Sequence, residues 1–177
     1  MLPDPIHPAI VHFPIVLAAL LPLMAIGALI LARRGTPIRT LWTGVAATAA
    51  LLAGSAWLAV ETGEAQEERV ETVVSEAPLD THQDRATLFL YMAAGTLVVA
   101  AAGLARGRAG QVGRVAATVA ALAMLPAGYF VGHSGGELVY KYGAAQAYAP
   151  ASTAQVETGQ AGEPGGNPAG HDDDDDR

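Results

Sequence analysis

The 177-residue chain contains no cysteine. That excludes a disulfide framework, thiolate zinc and iron-sulfur sites, and a covalently attached c-type haem. Charge is missing from long stretches as well: Pro8 to Ala32, Thr40 to Val60, Ala86 to Ala105 and Val115 to Val131 contain no Asp, Glu, Lys or Arg. A bilayer crossing takes about 20 apolar residues, so the four runs are expected to be transmembrane helices. No basic segment precedes the first run, where a secretory signal needs one and this chain has Asp4; the run is also too long for a signal and is read as a mature span. The absence of charge at any mid-span position, or of a pair of broken helices there, argues against a transporter. No nucleophile and base pair, phosphate loop or soluble catalytic domain is visible, so neither an independent enzyme nor a nucleic-acid partner is expected.

The charge that is present sits between the spans. The net charge of −7 comes largely from the segment Glu61 to Glu76 and from the C-terminal HDDDDDR, and it says little about the bundle. Orientation follows the basic residues of short loops. Arg33, Arg34 and Arg39 lie between spans one and two, and Arg106, Arg108 and Arg114 between spans three and four, against Arg69, Arg85 and Lys141 on the other side. The first two loops are expected to be cytoplasmic, with both termini on the outer, periplasmic side of a bacterial inner membrane.

Span one carries Pro14 and Pro22, the second deep enough to bend a helix. Span two is full of Ala, Gly, Ser and Thr, the composition that lets helices pack closely in lipid. Span three opens with "DTHQDRA", where Thr81 and Asp84 have capping-box spacing and place His82 in the first helical turn. Span four runs into "GYFVGHSGGELVYKYG", whose glycines suggest an end to the helix and a short interfacial segment from Glu137 to Tyr142. Trp42 and Trp57 read as belt residues at the two interfaces. No internal repeat is evident. The expected fold class is all-α: an integral membrane four-helix bundle of up-down-up-down topology over residues 1–146, followed by a disordered acidic tail at 147–177.

The histidines share one level. His7 and His12 stand at the outer end of span one, His82 at the outer start of span three and His133 at the outer end of span four, while Glu61 and Glu64 close span two. Each helix therefore brings a ligand-capable side chain to one membrane face. His7 and His12 are about 140° apart on a continuous helix, so both can face one centre only if Pro8 marks the helix start and His7 folds back from a preceding loop. The plain alternative for each histidine is an interfacial or helix-end hydrogen bonder. Gly132, Gly135 and Gly136 are either a helix terminus or room for a flat ligand beside His133.

The segments "IHPAIVHFPIVL", "ETGEAQEE", the His82 that opens span three, and "GHSGGELVYKYG" resemble the bacterial membrane-protein family called domain of unknown function 2231. The likeness covers about residues 5 to 146. It implies a four-helix membrane unit, a type of unit sometimes joined to Rieske-type or cytochrome c-type domains, and so it suggests electron transfer. His7, His12, His82 and His133, with Glu61 and Glu64, occupy the positions of the family pattern. No redox domain is attached in this sequence, so the electron partner implied is a separate protein.

Three functions remain open at this point. The first is a redox subunit binding b-type haem between two imidazoles on different helices; spans one and three are diagonal in the expected topology, so His12 and His82 are placed to oppose each other, with His7 and His133 serving a second haem or its propionates. The second is a non-haem iron, copper or zinc site formed by His12, His82, His133, Glu61 and Glu64. The third is an anchor or assembly subunit without a cofactor, in which the same side chains form a polar network.

Overall fold

The computed structural model describes residues 6–149. Its helices, in chain order, are α1 (His7–Ile10), α2 (His12–Arg33), α3 (Ile38–Glu64), α4 (Glu67–Glu71), α5 (Glu76–Ala102) and α6 (Gly107–Tyr140), followed by a 3-10 turn at Ala144–Tyr148. Four segments are long and apolar enough to cross a membrane: His7–Arg33, Ile38–Glu64, Glu76–Ala102 and Gly107–Tyr140. The expected acidic tail lies outside the described residues, apart from its first three positions.

The helices run past the apolar stretches at several ends, and each extension has a local cause. α5 begins at Glu76, with Ser75 as its N-cap residue. Pro78 falls in its first turn, where a missing N–H costs nothing. The Thr81–Asp84 capping box therefore does not form: His82 stands well inside the helix, and Thr81 Oγ1 donates to the carbonyl of Ala77 at 2.9 Å. α6 likewise continues through Gly132, Gly135 and Gly136 to Tyr140 rather than ending there. At the inner end of α2 the chain turns at Gly35, whose φ of 100° is open to glycine. The Gly35 and Thr36 N–H groups close that turn on the carbonyls of Ala32 and Leu31, at 3.1 and 3.2 Å.

α2 packs against α3 and α6, and α5 packs against the same two helices. The four long helices therefore form a ring in chain order, with α2 diagonal to α5 and α3 diagonal to α6. The interior is built largely of alanine, including Ala18, Ala25, Ala49, Ala93 and Ala121, with Leu21, Leu52, Phe89 and Met124 between them. Small side chains let helix backbones approach where lipid supplies no hydrophobic drive. Large apolar groups point outward instead, among them Phe13, Leu23, Leu51 and Val98. This inside-out distribution is the one a bilayer solvates.

Trp42 departs from its expected place in the interfacial belt. It is fully buried, and its indole Nε1 donates to the carbonyl of Ala100 at 2.9 Å. α5 can take the indole because a Cβ on Gly103 would collide with it. Next to it, Arg114 Nη1 donates to the Gly103 carbonyl at 2.7 Å, satisfying one of the groups left open at the end of α5. Trp57 is about half exposed and fits the outward role. At the opposite end, Val74, Leu79, Leu138 and Ala144 form a second small core with Val70 and Tyr142, so that mouth of the bundle is itself folded.

Candidate functional site

Two of the four boundary histidines are drawn into the bundle. His7 is the first residue of α1 rather than part of a loop before it, and Pro8 follows in the first turn. Its Nδ1 lies 3.1 Å from Thr62 Oγ1 at the end of α3. The ring rests on Gly63, where an added Cβ would come within 3.1 Å of Cε1. His82, on α5, makes the same set of contacts with α6: Nδ1 is 3.0 Å from Ser134 Oγ, and a Cβ on Gly135 would come within 3.1 Å of its Cε1. Both hydroxyls also donate back to their own helices. Thr62 Oγ1 lies 2.8 Å from the Leu58 carbonyl and 3.1 Å from that of Ala59, and Ser134 Oγ lies 3.0 Å from that of Val131.

The two rings are half-buried and sit at the starts of diagonal spans, at the same end of the bundle. His7 also has a backbone hydrogen bond to Ala59, and His82 the equivalent one to Val131.

The other expected site residues point away. His12 is exposed, as the rotation from His7 requires, and the helix is interrupted at Val11 between them. His133 is exposed on the outer surface of α6, its Nδ1 3.5 Å from Glu137 Oε2, and Lys141 Nζ reaches the other oxygen of that carboxylate at 3.4 Å. Tyr129 lies beside it, one turn back, with ring centroids 5.7 Å apart. Glu61 and Glu64 are exposed as well. Among the described residues no three His, Cys, Asp or Glu side chains gather where they could hold a metal ion. Gly132 faces Ile15 at ordinary contact distance, and Gly136 has open space around it; of the three glycines only Gly135 touches a histidine.

Thr62, Gly63 and Ser134 were not singled out by sequence reasoning. The available signal was the hydroxyl and glycine pair, "TG" in "ETGE" and "SG" in "HSGG", at the outer ends of spans two and four.

Comparison with curated proteins and with solved structures gives no significant match. The family model described as predicted membrane protein (DUF2231) matches residues 3–147, which takes in all four spanning helices and both histidine sites, and the chain belongs to that family.

Proposed function

We propose that this protein is a membrane redox subunit that holds b-type haem at the outer end of its bundle, with His7 and His82 as the axial pair. The observation that carries the reading is the donor set: two imidazoles on diagonal helices, and no third protein ligand beside them among the described residues. An ion held by the protein alone needs more ligands than that. Haem iron needs only two from the protein, because the macrocycle fills the other positions. When bound, haem would supply a one-electron couple; His7 and His82 would supply ligation, with Thr62 and Ser134 orienting the rings.

His7 and His82 replace the pairing of His12 with His82, because His12 faces outward. On this reading the basic loops, by the positive-inside tendency, face the cytoplasm, and the histidine end lies on the outer side of a bacterial inner membrane, where the acidic connector would meet a separate electron partner of Rieske or cytochrome c type.

The test is a reduced-minus-oxidised visible spectrum of protein purified from its native membrane, with haem and metal content measured on the same sample. A b-type α-band at near-stoichiometric haem is expected, lost in His7→Ala and His82→Ala and kept in His12→Ala and His133→Ala. Absence of haem from the native preparation, or full occupancy in both inward variants, would sink the reading.

A further inference from the structure

The bundle is two copies of one helical hairpin, although the sequence shows no evident repeat. Starting from the paired histidines, the buried positions recur in register. Pro14, Ala18, Leu21 and Ala25 follow His7 at the same steps as Phe89, Ala93, Thr96 and Ala100 follow His82, and all eight are buried. Counting back from the hydroxyl residues gives the same result: Val45, Ala49 and Leu52 precede Thr62 at the steps by which Ala117, Ala121 and Met124 precede Ser134. Each hairpin starts with the histidine and ends with the hydroxyl and glycine that receive it. The buried positions thus give the bundle a two-fold repeat, with both half-sites at the same end.

Hydrogen-bond counting then points to one placement of the protons. A hydroxyl has one proton and two lone pairs. Thr62 and Ser134 each have a carbonyl of their own helix within reach of that proton, a bond these residues commonly make within helices. With the proton on that carbonyl, the oxygen facing the imidazole accepts and the ring donates from Nδ1. Neutral imidazole has a single N–H, which leaves Nε2 as a bare lone pair. The side-chain partner of each ring is at Nδ1, so this tautomer keeps Nε2 for a ligand.

We infer that Thr62 and Ser134 are positioning residues which lock His7 and His82 in the Nδ1–H tautomer, while Gly63 and Gly135 seat the rings, so that the outer end of the bundle is one two-fold-symmetric site offering two Nε2 lone pairs to a single ligand. Such a site takes a centre that accepts one imidazole from each side and brings its remaining ligands with it. The ligand class rests on the haem reading; the tautomers do not. A hydroxyl that accepts the Nδ1 proton of a ligating histidine also orients the ring and raises its basicity.

The test reads the tautomers directly, in protein prepared free of haem. Nitrogen-15 spectra of the labelled histidines, taken in bilayers at a pH where imidazole is neutral, are expected to show protonated Nδ1 and bare Nε2 for His7 and His82. Thr62→Val is expected to release His7 alone into a mixture with the Nε2–H form, Ser134→Ala to release His82 alone, and Thr62→Ser and Ser134→Thr to restore the parent spectrum. Nε2–H rings in the parent protein overturn the inference outright. Rings unmoved by loss of the hydroxyls overturn the roles of Thr62 and Ser134. Haem binding measured separately on the parent decides the ligand, so a haem-free protein with locked tautomers would reject the haem reading and keep this one.

Discussion

Trp42 does at one end of the bundle what the paired histidines do at the other: one side chain on one helix reaches a backbone on another. Its indole fills the space over Gly103 and donates to Ala100. Trp42→Ala removes a fully buried aromatic side chain, and the cost expected for such a truncation is about 3–5 kcal/mol. Trp42→Phe keeps most of the volume and removes one donor from the Ala100 carbonyl, which still accepts from the Gly103 N–H, a loss of about 0.5–1.5 kcal/mol. Reversible unfolding in mixed micelles would rank the two, and a Trp42→Phe variant as stable as the parent would contradict a role for the hydrogen bond. The residue was legible as a tryptophan near the inner membrane boundary but not as a buried one. Depth follows from distance along the span, whereas facing depends on which helices close the ring.

At the scale of the element, α6 carries the sharpest contrast. It contains neighbouring glycines one turn from its end, each of which weakens a helix by about 1 kcal/mol relative to alanine. Gly136 has open space around it, so Gly136→Ala is expected to stabilise the helix by about 0.5–1 kcal/mol and to leave the site intact. Gly135 supports the His82 ring, so Gly135→Ala gains the same propensity and displaces the imidazole. Haem content and the His82 nitrogen signals, measured on both variants, should change only in the second. The hydrocarbon-length cores of the spans were legible because uncharged runs of that length have few other uses. Their ends were not. Glu76 to Arg85 and Gly132 to Tyr140 look like boundaries by composition, yet the helices continue because the small outer core of Leu79 and Leu138 and the seat for His82 are built on those extra turns.

For the whole molecule, orientation is open to direct test because the chain has no cysteine of its own. Single cysteines introduced at Glu68 and Arg108 should behave oppositely toward an impermeant thiol reagent added to intact cells. Labelling at Glu68 and protection at Arg108 is the expected pattern, and the reverse would place the histidine pair on the cytoplasmic face. The topology was legible from the number of spans and their connectors. The doubling of the hairpin was not, because the halves share mainly alanines, which are common throughout the spans, along with the histidine and the glycine after the hydroxyl; the larger buried residues differ, Leu21 corresponding to Thr96 and Val45 to Ala117.

The doubled hairpin also bears on how the chain can be divided. The hydroxyl and glycine that seat His7 come from its own hairpin, and those that seat His82 come from the other. The connector after Ala65 supplies none of them. A gene split there and expressed as two polypeptides should yield halves that find each other in the membrane and purify together, each arriving with its imidazole already in place.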